Sequence, residues 1–186
     1  MLGAFHLGSD SLARAQGRLT EETMAATDWQ LVGLTPNEDG TLTTVDGDPQ
    51  MILENVGDRV VRTISYTAQF DGEARELCLY YTTKVGEDYS ADRRVFPRSV
   101  GEGRYIYTLP RTSLAALRLD PCSPEENKAV TLTMSGITLN AADTLPHFWQ
   151  YFVPSWYQAF CLVLYPALAA AAVSMAAAIV PGRKRN

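Results

Sequence analysis

Two histidines, His6 and His147, are the only imidazoles in the sequence, and they stand near opposite ends of it. A Ser-His-Asp or Cys-His arrangement, or a histidine-ligated zinc, needs an imidazole held in a cleft. His147 is followed directly by Phe148 and Trp149, the setting of an amphipathic side chain at an apolar boundary rather than of a general base. No G-x-G-x-x-G, Walker A or C-x-x-C pattern occurs, and "GEGRY" at 101–105 reads as a turn before a strand. The expectation is a non-enzyme with no catalytic residues and no cofactor. Carboxylates gather at Glu38, Asp39, Asp46 and Asp48, as in loops that hold Ca²⁺, but their spacing fits no EF-hand. Turn chemistry accounts for them, so no metal site is expected. Asp92, Arg93, Arg94 and Arg98 leave two readings open, a positive patch for an anionic glycan or a solvated loop.

The remaining candidates are rings. Trp29, Tyr80 or Tyr81, Tyr89, Phe96, Tyr105 and Tyr107 lie in or beside extended segments. Flat rings stack on the apolar faces of pyranoses while amides and carboxylates around them meet the hydroxyls. Tyr80 and Tyr81 are adjacent, so in a strand one of them faces away from the core. Trp29, Tyr81, Tyr89 and Phe96 are the expected ligand-binding residues, near the loops of the domain. The competing reading makes the same rings core.

These residues need a scaffold, and the sequence supplies strands. "VVRTISYTAQF" (60–70) alternates, with Val60, Ile64, Tyr66, Ala68 and Phe70 on one face and Val61, Thr63, Ser65, Thr67 and Gln69 on the other. Further strands are expected at 28–34, 41–45, 50–56, 76–85, 104–109, 114–120 and 129–140. "TPNEDGT", "DGDP", Asp71-Gly72 and "GEG" punctuate them with turn residues. In the last strand Val130, Leu132 and Met134 share a parity that Ile137 and Leu139 reverse, so Gly136 reads as a bulge. The fold class expected is all-β, an antiparallel, jelly-roll-like β-sandwich. Cys78 and Cys122 are either two buried free thiols or a disulfide, because sequence does not fix the separation of their Cα atoms.

"LRLDPCSPEENKAVTLTMSGITLN" (117–140) and, more loosely, "DGDPQMIL" (46–53) carry a resemblance. An L-R-L-D-P strand end, a short polar loop and a bulged closing strand resemble the last two strands of galactose-binding-like (carbohydrate-binding-module-like) sandwich domains of bacterial envelope membrane proteins. The resemblance implies a sandwich fold more than a ligand.

The C-terminal part differs in kind. No Asp, Glu, Lys or Arg occurs from Thr144 to Gly182, and Tyr157 to Val180 offers 24 residues without a charge. About 20 such residues cross a bilayer as a helix. Phe148, Trp149, Tyr151, Phe152, Trp156 and Tyr157 precede the run as an aromatic belt, and Arg183, Lys184 and Arg185 follow it. The alternative is an alanine-rich core helix interrupted by Pro166, although a soluble helix of this length carries a polar face. Cations beside a span stay on the cytoplasmic side, which puts the globular part outside. Two explanations of export stay open: "MLGAFHL" is the end of a longer signal or first span, or the chain is tail-anchored with its domain in the cytosol.

The net charge of −5 becomes −8 once the three C-terminal cations are set aside, which argues against nucleic acid as a partner. The expected organisation is an N-terminal segment (1–26), a β-sandwich ectodomain (27–143), an aromatic juxtamembrane segment (144–156), a transmembrane helix (157–180) and a basic cytoplasmic tail (181–186). The expected function is a membrane-anchored module that binds an envelope glycan. The alternative is an accessory subunit that docks on another membrane protein, partly through the small-residue helix face.

Overall fold

Short extended segments with alternating apolar residues build the two sheets, and their inner faces meet to form one core. The computed structural model describes residues 2–125, 128–154 and 156–179. They fall into two units, Gly8–Pro146 and Met1–Leu7 with His147–Asn186. In chain order the elements are α1 (Leu2–Ala15), β1 (Glu22–Met24), β2 (Gln30–Val32), β3 (Leu34–Pro36), β4 (Leu42–Thr44), β5 (Gln50–Leu53), β6 (Thr63–Phe70) and β7 (Cys78–Tyr81). They continue with β8 (Arg94–Val95), β9 (Arg98–Ser99), β10 (Arg104–Thr108), β11 (Leu117–Asp120), β12 (Thr131–Met134), β13 (Ile137–Leu139) and α2 (Trp156–Ile179).

One sheet has eight strands, ordered β1-β13-β6-β12-β4-β3, with β10 on β6 and β9 on β10; the other has five, ordered β2-β5-β11-β7-β8. The pairings are antiparallel. The chain steps from sheet to sheet through β4, β5, β6 and β7, which gives the jelly-roll-like sandwich expected from the sequence. In the five-stranded sheet Leu31, Met51, Leu119, Leu79 and Val95 stand opposite one another as a single inward row. Ile64, Tyr66, Leu132, Ile137 and Leu139 of the larger sheet join the same core. Each fully buried Leu or Ile contributes about 1.5–3 kcal/mol by leaving water.

The strand expected at 28–34 is instead two strands in different sheets. Gly33 separates β2 from β3 with φ +65°, and a Cβ there would strike the Asp46 carboxylate, so the chain changes sheets at a residue that only glycine fits easily. The expected bulge at Gly136 is present: Met134 faces Ala68 while Thr138 faces Ser65, one extra residue on the β12–β13 side. A Cβ on Gly136 would lie 2.6 Å from Thr23 Cγ2, so the glycine lets β1 approach β13.

Alternation fails at the start of 60–70. Val61, expected on the outer face, is in the core, because the strand begins only at Thr63. Before it, Val60 N–H donates to Arg18 O and Arg62 N–H to Asn140 Oδ1, so the backbone follows these partners rather than a ladder. Tyr105 and Tyr107, considered as exposed rings, also turn inward; Tyr107 is fully buried with its hydroxyl 3.2 Å from that of Tyr66.

The segment from Gly8 to residue 26 belongs to the sandwich unit. β1 pairs with β13, and Asp10 of α1 is completely buried between two guanidiniums. Arg62 Nε donates to its Oδ1 at 3.0 Å, and Arg111 binds both oxygens at 2.8 and 2.7 Å.

In the other unit the backbone of Gly3 lies directly on the Tyr151 carbonyl, where a Cβ would not fit. Phe148 packs on Trp149 and Phe152, with ring centroids 5.1 and 5.4 Å apart. α2 runs 24 residues with Pro166 inside it. Its Leu162, Val163, Leu168, Val173 and Met175 are exposed, and Trp156–Ala177 is a candidate membrane span with mean hydropathy 2.0. The basic cluster Arg183 to Arg185 lies outside the described residues.

Candidate functional site

The face of the five-stranded sheet opposite the core carries the chemistry. Gln30, Ile52, Arg118, Tyr80 and Arg94 stand opposite one another across its five strands. With strands about 4.8 Å apart the row spans roughly 19 Å, room for several sugar rings. The alternation that sends Leu117 and Leu119 inward sends Arg118 and Asp120 outward, and the same parity in β7 turns Leu79 and Tyr81 in and Cys78 and Tyr80 out.

Arg118 is the hub. Its Nε donates to Asp120 Oδ1 at 2.7 Å, and its Nη2 to Asp120 Oδ2 and Asp48 Oδ1, both at 2.8 Å. The guanidinium carbon lies 5.1 Å from the centroid of the Tyr80 ring. Burial alone would lower the Arg118 pKa, but the Asp120 and Asp48 carboxylates outweigh it and hold the pKa above its ordinary value. Burial pushes Asp120 up, against the opposing pull of Arg118. Beside them burial raises the Cys78 thiol to about 11, and its Sγ donates weakly to Asp120 Oδ2 at 3.8 Å. Cys78 and Cys122 are both free and buried.

A second cation continues the row. Arg94 Nη1 binds Glu76 Oε1 at 3.0 Å, and its guanidinium carbon sits 4.7 Å from the centroid of Phe96. The Tyr80 hydroxyl beside it is the largest cause of its raised pKa.

The loop between β7 and β8 positions Tyr89. Glu87 accepts from Thr83 N at 3.0 Å, from Lys84 N at 3.3 Å and from Thr83 Oγ1 at 3.3 Å, and it pairs with Arg93. These donors, Arg93 first, lower the Glu87 pKa to about 2. Ser90 Oγ then accepts from Asp92 N and caps the short 3-10 turn Ala91–Arg93. Half-buried Tyr89 lies close enough to Arg118, Glu54 and Asp120 to feel their charges, although burial dominates its raised pKa.

Of the four expected ring residues, the structure gathers two near this face. Phe96 is 55% exposed, and Tyr89 lies near Arg118. Trp29, expected with an open ring, is 2% exposed in the core; its Nε1 finds no partner among the described residues. Tyr81 packs against the core, and its neighbour Tyr80 takes the outward place. Sequence reasoning offered both tyrosines; the parity of Leu117 and Leu119 against Leu79 decides between them.

Charged groups elsewhere serve turns. Asp39 Oδ1 accepts from Thr41 N and Oγ1 at 3.0 and 2.7 Å, and Asp46 Oδ1 from Asp48 N at 3.0 Å. Among the described residues no group of three or more His, Cys, Asp or Glu is placed to hold a metal ion. Both histidines fall outside the sandwich unit, and His147 N–H donates to Gln150 Oε1 at 2.6 Å.

No protein-family model and no curated protein matches the chain. Among solved structures it is similar to a low-affinity xylan-binding module, CBM86, from Roseburia intestinalis, at 13% identity and TM-score 0.41, covering 64% of this chain and 94% of that one. It is also similar to a family two carbohydrate esterase from Cellvibrio japonicus, at 16% identity and TM-score 0.39, covering 64% of this chain and about a third of that one (33%). Both likenesses are distant.

Proposed function

We propose that the chain is a non-catalytic glycan-binding module, held to a membrane by α2 with its sandwich on the extracytoplasmic side. The observation that carries this reading is the outward row Gln30, Ile52, Arg118, Tyr80 and Arg94. It presents an amide, an apolar patch, a ring and two guanidiniums, with Asp48 and Glu76 exposed at 67% and 51% beside them. An extended sugar chain lying on this row stacks on ring faces and exchanges hydrogen bonds with the amide, the guanidiniums and the carboxylates. A shallow face with few rings suits dissociation constants of roughly micromolar to millimolar size.

Anchoring is supported by α2, whose apolar side chains are exposed all round, an arrangement that water disfavours and a bilayer accepts. The outside placement follows from the cations at 183–185. Calorimetric titration of neutral and acidic oligosaccharides into the full chain in lipid nanodiscs tests binding. Heat from none of them, at millimolar ligand, favours the docking subunit instead. Labelling of cysteines introduced at Asn37 and Asn186 from outside intact cells tests orientation: reaction at Asn37 alone supports it, and reaction at Asn186 alone reverses it.

A further inference from the structure

Resting on the glycan-binding reading, we infer that the outer face takes neutral glycans and turns anionic ones away, and that Asp48 sets this preference by masking Arg118. The cations of the face are already engaged. Arg118 directs Nε and Nη2 at Asp120 and Asp48, and Arg94 directs Nη1 at Glu76. Two guanidiniums against the carboxylates of Asp48, Asp120 and Glu76 leave the row one negative charge, and Glu54 near Tyr89 adds another.

The two partners of Arg118 differ in kind. Asp120, with 8% of its side chain exposed, holds the guanidinium from beneath by two hydrogen bonds. Asp48, 67% exposed, reaches the same Nη2 from the solvent side. A uronate carboxylate approaching Arg118 therefore meets Asp48 first, and like charges brought together at an interface oppose binding. A hydroxyl in the same position donates to Asp48 or Glu76 and meets no such barrier. Replacing Asp48 by Asn keeps the side chain's size and removes the negative charge on the solvent side of Arg118 Nη2, which stays bonded to Asp120 and no longer has a second carboxylate opposing an incoming anion.

The test uses the full chain in nanodiscs and matched pairs of probes: neutral gluco-, galacto- and manno-oligosaccharides, each beside the same oligosaccharide oxidised at C6 to carboxylates. The expected result is binding of at least one neutral member about tenfold or more tighter than its oxidised partner, with Asp48→Asn and Asp48→Ser both narrowing that gap. Oxidised probes that bind the native chain as tightly as the neutral ones overturn the inference and leave the glycan reading standing. A gap that persists unchanged in both variants overturns the role of Asp48. Failure of every probe, neutral and oxidised, overturns the glycan reading itself.

Discussion

Arg118 lies over the ring of Tyr80, 5.1 Å from its centroid, and the two residues face each other across neighbouring strands. The pairing fixes charge and aromatic surface at the centre of one sheet face. Its counterpart one residue along each strand, Leu119 opposite Leu79, is fully buried. The proposed binding face and the core are thus separated by a single step of the strand.

That separation predicts opposite effects for adjacent tyrosines. Tyr81→Ala removes a ring packed on the core and lowers stability, by an amount approaching the ~3–5 kcal/mol of a fully buried aromatic. Tyr80→Ala leaves the core intact and weakens glycan binding by about 1–3 kcal/mol if its ring stacks a sugar. Chemical denaturation and calorimetry on both variants distinguish the two; equal loss of stability would remove Tyr80 from the site.

Asp10 predicts a strong dependence of the fold on α1. Its buried carboxylate binds both Arg62 and Arg111, which are themselves only 11% and 26% exposed. Asp10→Asn removes the buried charge that both guanidiniums bind and destabilises the sandwich by about 3–5 kcal/mol. A denaturation midpoint unchanged by this substitution would mean that the pair holds nothing.

Acid should loosen the Tyr89 loop before it unfolds the sandwich. Glu87 has a folded pKa of about 2 against an ordinary 4.5, so it binds fewer protons when folded. A depressed carboxylate stabilises the folded loop fully above pH 4.5, and that contribution is lost as the pH falls from there toward 2. NMR of the Tyr89 ring across this window follows the change, and Glu87→Gln removes the pH dependence. A native Tyr89 signal constant down to pH 2 would contradict the assignment.

The anchor predicts sensitivity to charge at the middle of α2. Leu168→Arg places a cation within the candidate span, costing about 2.5–3.5 kcal/mol of insertion. Flotation with liposomes reads the loss of membrane association. A variant that floats as well as the native chain would make α2 something other than a span.

Much of the sandwich was legible because alternation is a local property. The pattern from Ile64 to Phe70 placed the central strand, and the change of parity around Gly136 located the bulge. Three strands went unseen: β1, β8 and β9 have three, two and two residues, too few to show a period. Gly33 hid a change of sheet inside one apolar run, which no spacing rule reveals. The candidate site was half legible. Tyr89 and Phe96 were found as loop aromatics, but choosing Tyr80 over Tyr81 requires knowing which face of β11 is buried. Arg118 and Asp120 stand two residues apart in one strand, and their ion pair at 2.7 Å is a local contact. Their join to Asp48, 70 residues away in sequence, comes only from the fold.

The most direct measurement is NMR of the full chain in nanodiscs, labelled at tyrosine rings and arginine guanidiniums, during titration with the neutral oligosaccharides. Glycan binding on the outer row shifts Tyr80, Tyr89, Arg94 and Arg118 together, saturably, while the buried rings of Tyr66 and Tyr107 stay in place. Saturable shifts confined to other residues, or none in these four at millimolar sugar, would contradict the assignment of this face.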